Sequence, residues 1–312
     1  MTAVPNIRWP DGKRFAFTVF DDPDSQPLEE SRLIYGLLRD LGLRTTMGVW
    51  PVGPYRQGNS RSESCANPIY REHVLELQRA GFEIGFHGAA LSTSPREKTR
   101  EALDLFREYF GAPPATMSNH FDNSEGIYFG AARLSGARRL LYQLATAHQH
   151  PKRYTGHIPG DPLFWGDICK DQIHYCRNFV FADINTLRRC PEMPYHDPQR
   201  PYVRGWYASS EGADAGKFIA TLAEPNLDRL EQEGGACIIY THFGKGFCRG
   251  GSLTPEFRGL MERLSRRNGW FAPVSAVLDH IAAQRGEHIL TDRERARLEW
   301  AWLSEKLRRG TA

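Results

Sequence analysis

Short apolar runs alternate along this chain with stretches whose apolar residues recur every three or four positions. Residues 15–20 read Phe-Ala-Phe-Thr-Val-Phe and stop at Asp21-Asp22-Pro23-Asp24, a pattern that predicts a buried strand. Residues 27–41 follow as a helix, with Leu33, Leu37 and Leu41 four positions apart. The alternation continues. Further strands are expected at 44–50, 82–86, 115–118, 178–182 and 236–241, with a short one at 270–272. Further helices are expected at 69–80, from Ser94 onward, and at 129–147, 215–232, 255–267 and 274–284. Tyr70, Val74 and Leu77 share one face of the 69–80 helix, and Gly81 stands where a helix-ending glycine belongs. Ser94, Pro95 and Glu97 read as cap, first and third helical positions. Thr291 caps a terminal helix reaching 309, with acids in its first turn and Lys306, Arg308 and Arg309 in its last. Residues 51–68, 148–176 and 185–214 are irregular. A loop of the last length inside a compact domain usually carries function.

Repeated strand–helix units imply parallel strands with right-handed crossovers, so the expected class is α/β. Six polar residues then fall just past strand ends: Asp21, Asp22, His87, His120, Asp183 and His242. In a parallel barrel or open sheet those ends share the face that carries the active site. Adjacent carboxylates repel. A cation would bind one and keep the other ionised. Asp-Asp-Pro-Asp by itself also reads as turn chemistry. Polar residues at one register over five strands favour a site.

Composition narrows the classes. The chain has 312 residues, enough for a large core, with 40% hydrophobic and 25% charged residues. A net charge of +3 and the lack of a basic stripe interleaved with aromatics argue against nucleic acid as a partner. Residues 1–14 hold no apolar stretch resembling a signal peptide, and no run approaches membrane-spanning length. A cytoplasmic location is the expectation. The six cysteines form no C-x-x-C pair and are expected as free thiols.

Three islands resemble the polysaccharide deacetylase (NodB-homology) family, the family-four carbohydrate esterases. They are Thr18-Val19-Phe20-Asp21-Asp22-Pro23, Gly81-Phe82-Glu83-Ile84-Gly85-Phe86-His87, and Ile238-Ile239-Tyr240-Thr241-His242. The closing Gly269-Trp270-Phe271-Ala272-Pro273-Val274-Ser275 is also similar. The resemblance covers about residues 10–285. It implies a distorted (β/α)7 barrel of parallel strands over residues 1–285, followed by a helical extension at 286–312. It also implies roles: Asp21 as catalytic base, Asp22 and His87 as metal ligands, His242 as general acid. The chain departs from the family pattern in three places. Leu91 stands where the second metal histidine belongs, four residues after His87. Pro23 replaces a glycine. Ser118-Asn119-His120-Phe121-Asp122 stands where the family has R-x-P-[YF].

Zinc or another divalent transition metal needs three protein ligands and an open position, so His120 is a candidate third ligand beside Asp22 and His87, with a substrate contact and a structural histidine as the alternatives. The expected reaction is removal of an N-acetyl group from a small or oligomeric amino sugar or sugar conjugate, by metal-assisted attack of water. Asp183, Trp206 and Lys245 are candidate substrate contacts. Lys245, in Gly244-Lys245-Gly246-Phe247, suits an anionic group such as a phosphate. Phe164, Trp165, Tyr195 and Tyr207 are available either to stack on sugar rings or to pack the loops. The apolar residues of the C-terminal helix can pack on the barrel or on a second copy in a homo-oligomer. Two rivals stay open: a glycan-binding barrel that no longer hydrolyses, and a hydrolase of another non-peptide C–N bond.

Overall fold

The structure, a computed structural model, describes residues 6–53, 61–146 and 153–311. The parts of the N-terminal segment, the 51–68 and 148–176 loops and the 129–147 helix that fall at 1–5, 54–60 and 147–152 lie outside the described residues.

Seven parallel strands close into a barrel. They are β1 (Phe15–Asp21), β2 (Thr46–Val49), β3 (Glu83–Phe86), β4 (Thr116–Met117), β5 (Tyr175–Phe181), β6 (Gly205–Ser210) and β7 (Ala236–Thr241). Each pairs with the next in chain order. β7 returns to β1 over the full register from Ala16↔Ala236 to Asp21↔Thr241. The expected distorted (β/α)7 architecture is therefore present, but its membership differs. β6 lies inside the segment read as a long loop. The strand Gly269–Phe271, expected to complete the count, pairs with the first half of β1 outside the ring. The sequence Gly-Trp-Tyr-Ala-Ser-Ser has no aliphatic branched residue, yet every position of β6 is buried.

The helices are α1 (Leu28–Asp40), α2 (Pro68–Arg79), α3 (Arg96–Phe110), α4 (Gly136–Thr146), α5 (Gly166–Gln172), α6 (Thr186–Arg189), α7 (Ala215–Thr221), α8 (Glu224–Gln232), α9 (Pro255–Ser265), α10 (Val274–Arg285) and α11 (Asp292–Arg309). α5 and α6 were not expected. The single helix expected at 215–232 is two, because α8 starts afresh with a proline in its first turn. α3 begins one residue late: Pro95 takes the cap position, and the Ser94 hydroxyl donates to the Ser92 carbonyl instead.

Interior packing explains two glycines. A Cβ on Gly85 would lie 2.9 Å from the Phe20 ring, and one on Gly48 would lie 2.7 Å from the Asp21 carbonyl. The barrel is filled by Phe20 at the cost of side chains on β2 and β3. Glu83 accepts from Thr46 (2.6 Å), Thr116 (2.8 Å) and the Ser275 backbone N–H (3.0 Å), so one half-buried carboxylate joins β2, β4 and α10.

α11 carries the expected capping box between Thr291 and Glu294. It buries Trp302 against Phe179 and Tyr142. Glu299, fully buried on α11, accepts from Arg138 (2.7 Å), Arg200 (2.9 Å) and Ser135. The terminal helix is thus part of the barrel's packing. All six cysteines are unpaired. Among the described residues, no helix is long and apolar enough to cross a membrane.

Candidate active site

A cavity of about 630 Å³ opens at the C-terminal ends of the barrel strands. Of the residues singled out in the sequence, Asp22, His87, His120, His242 and Lys245 line it, together with Asp24 and Arg177. Asp21, Asp183 and Trp206 do not.

Asp21 ends β1 with its side chain enclosed. Its two oxygens accept from the Phe243 backbone N–H (2.9 Å) and the Tyr35 hydroxyl (3.0 Å). Burial pushes its carboxyl well above the usual range, against the pull of those two bonds. Asp21 therefore anchors the backbone immediately after His242 and does not reach the cavity. Asp183 faces away, pairing with Arg188 and Arg229 and accepting from the Asn185 N–H at 2.9 Å. Trp206 is 1% exposed and packs edge-on to Tyr128. Among the loop aromatics, Trp165, Tyr195 and Tyr207 are core residues, and Phe164 packs on Tyr202. The rings at the cavity are Phe121, Phe129, Tyr142, Tyr154 and Tyr240.

Asp22, expected as a ligand, lines the cavity with its oxygens engaged by an arginine and a serine. Arg177 grips both of its oxygens (3.0 and 2.5 Å), and the Ser118 hydroxyl donates to Oδ1 at 2.9 Å. Arg177 is a fully charged side chain inside β5, where an unpaired charge is not tolerated, and Asp22 is its counter-ion. Burial alone would raise Asp22. The charges of Arg177, then His87 and His242, outweigh it and hold the carboxyl low.

The group that meets the two histidines is Asp24. Among the described residues, one set of three has ligand atoms mutually within 4.8 Å: Asp24, His87 and His120. Their hydrogen bonds fix how each ring is protonated. Ser118 donates its hydroxyl proton to Asp22, so it accepts from His87 Nδ1–H at 2.7 Å. The His87 Nε2 is then a bare lone pair, buried without a hydrogen-bond partner, 3.4 Å from Asp24 Oδ2, which is equally orphaned. Asn123 behaves likewise at the other ring. Its amide donates to the Ala90 carbonyl and Glu125, leaving its oxygen to accept from His120 Nδ1–H at 3.0 Å. His120 Nε2 lies 2.8 Å from Asp24 Oδ1, so it donates to the carboxylate when the ring is protonated and presents a second lone pair when it is not. Two lone pairs against one carboxylate require positive charge, either protons on the rings or a cation between the three groups. Ligand atoms on a tetrahedral zinc ion stand roughly 3.3 Å apart, given Zn–N and Zn–O bonds of about 2.0–2.1 Å. The observed separations bracket that spacing, and the donor set of two imidazoles and a carboxylate suits a divalent transition metal.

Burial tends to raise Asp24, but its hydrogen bond with His120, the close approach of His87 and the charges of both rings hold it well below the usual range. The same carboxylate raises His120 against the effect of burial. His242 donates Nδ1–H to the Ala213 carbonyl at 2.8 Å, which leaves Nε2 facing the cavity, 3.6 Å from Asp24. Burial lowers its pKa despite the neighbouring Asp22 and Asp24. Leu91 is buried in a non-helical loop, so the position four residues beyond His87 does not share a helix face with it. Gly88 starts that loop at φ +100°, a conformation open mainly to glycine.

Asp24, Ser118, Asn123 and Arg177 were missed at the sequence level. Asp24 could have been found as the third carboxylate of Asp21-Asp22-Pro23-Asp24. A charged Arg177 beside an apolar strand also signals a buried partner.

No protein-family model and no curated protein matches this sequence. Solved structures do share its fold, that of polysaccharide deacetylases. A protein from Mycobacterium smegmatis assigned as a polysaccharide deacetylase is 14% identical, with a TM-score of 0.56 over 93% of this chain and 98% of that one. The Puue allantoinase is 16% identical, with a TM-score of 0.51 over 90% and 95% of the two chains. A protein from Pseudomonas aeruginosa PAO1 assigned as a polysaccharide deacetylase is 15% identical, with a TM-score of 0.50 over the same shares.

Proposed function

We propose that this protein is a metal-dependent hydrolase that removes an acetyl group from the nitrogen of an amino sugar or its conjugate. The observation that carries the proposal is the convergence of His87 Nε2 and His120 Nε2 on the Asp24 carboxylate, 3.4 and 2.8 Å away, inside a strand-end cavity. Asp24, His87 and His120 would hold the metal, with Asp24 in the place first given to Asp22. When bound, such an ion lowers the pKa of water and polarises a carbonyl oxygen.

The protein's own groups then divide the work. His242, neutral and anchored through Nδ1–H on Ala213, offers Nε2 to take the proton of the attacking water. It returns that proton to the leaving nitrogen, which departs poorly as an anion. Asp22, ionised by Arg177, stabilises the imidazolium formed between those steps. Asp21 positions His242 through the Phe243 N–H. Phe121, the most exposed of the rings at the cavity, is the candidate to pack against a sugar ring.

The test is acetate release from N-acetyl sugars and their conjugates, with allantoin as the rival substrate because an allantoinase shares the fold. We expect acetate release that a chelator abolishes and added metal restores. Asp24→Ala should lower kcat/KM by at least about 100-fold, the order of one catalytic electrostatic contact. Hydrolysis that is indifferent to both chelator and Asp24→Ala, or activity on allantoin alone, would overturn the proposal.

A further inference from the structure

Arg133, in the 3-10 turn Gly130–Arg133, lines the same cavity and is 6% exposed. Buried arginines normally face a carboxylate. This one has none among the described residues. Its guanidinium lies 4.1 Å over Phe129 and 5.2 Å over Trp302, and its Nε is buried with no hydrogen-bond partner. Burial lowers its pKa to about 10, and Arg177 adds to the effect. Lys306, on α11, reaches the same cavity. Burial, then repulsion from Arg133, lowers its pKa to about 8. Its ammonium donates to the Thr311 carbonyl. Glu211 attracts it, but that acid also pairs with Lys217 at 3.6 Å.

Two like charges thus line one open cavity, Arg133 with no carboxylate partner among the described residues and Lys306 with only Glu211, which it shares with Lys217. The faces of Phe129 and Trp302 offset only part of the cost of desolvating the guanidinium. We propose that Arg133 and Lys306 form a subsite for an anionic group of the substrate, a phosphate ester or a carboxylate. As a statement about substrate, this rests on the deacetylase reading. As a statement about binding, it does not.

The experiment is calorimetric titration of the full-length protein with glucose, glucose 6-phosphate and glucuronate, none of which carries an acetyl group. We expect at least one anionic sugar to bind tenfold or more tightly than glucose, and the stronger of the two identifies the preferred group. Arg133→Gln and Lys306→Met should each remove most of that preference, and Arg133→Lys should keep part of it. Equal affinity for all three sugars would overturn the subsite. So would an unchanged preference in folded Arg133→Gln, with folding checked by circular dichroism. If Arg133→Gln does not fold, Lys306→Met decides in the same way. Loss of anion preference without any acetate release by wild type would sink the deacetylase reading and leave the subsite standing.

Discussion

At the scale of single residues, one hydroxyl links the two halves of the site. Ser118 donates to Asp22 and accepts from His87, so the ionised Asp22–Arg177 pair dictates which nitrogen of His87 is bare. Partners of this kind fix the tautomer of a metal-binding histidine, and their loss typically costs about 10–100-fold in metal affinity. We expect Ser118→Ala to weaken zinc binding by that factor with little change in fold, measured by competition with a chromophoric chelator. Unchanged affinity would mean that the Ser118 bond does not orient His87. The histidines and paired aspartates of this site are visible in the sequence. Which carboxylate meets which cation is not. Asp22 and Arg177 are 155 positions apart, and only folding makes them partners. Asp24 was masked for a different reason: beside a proline, a third acid reads as turn chemistry.

At the scale of elements, the helices with clear apolar periodicity were legible, and the short or atypical elements were not. α2 is a case of the first kind. Its expected face, Tyr70, Val74 and Leu77, is buried, and His73 joins it at 3.0 Å from the Ser31 hydroxyl of α1. Burial, with Arg32 adding to it, lowers the His73 pKa from 6.5 to about 4. An unfolded chain protonates this histidine near 6.5, whereas the folded one keeps it neutral until about 4. Its contribution to stability is therefore complete above pH 6.5 and is lost as pH falls toward 4, at up to about 1.4 kcal/mol per unit. Urea unfolding across this window should show a shallower pH slope for His73→Asn than for wild type. Equal slopes would mean that His73 is not the responsible group. β6 is a case of the second kind. Its strand character comes from pairing with β5 and β7 on both edges, not from its own composition.

At the scale of the whole molecule, the barrel brings Asp24 from the turn after β1 together with His87 after β3 and His120 after β4. These three groups come together only in the folded chain, so metal binding should stabilise the fold. At a hundredfold excess over Kd the gain is about 2.7 kcal/mol. For a chain of this size that is a rise in Tm of several degrees. Differential scanning fluorimetry with zinc, cobalt and manganese should show this rise in wild type and not in Asp24→Ala. A rise of equal size in both would place the metal elsewhere. α11 also acts at this scale, because it brings Trp302 to the packing against β5 and Lys306 to the cavity.

The sequence by itself determined the alternation of strands and helices, the parallel α/β class, the histidines at the strand ends and the capped terminal helix. Each of these follows from local periodicity and from the rule that parallel strand ends share a face. Only the tertiary structure decided the seventh strand, the enclosure of Asp21, the pairing of Asp22 with Arg177 and the meeting of Asp24 with two histidines. Those choices depend on which side chain is desolvated beside which charge, and the chain must be folded before that contest has an outcome.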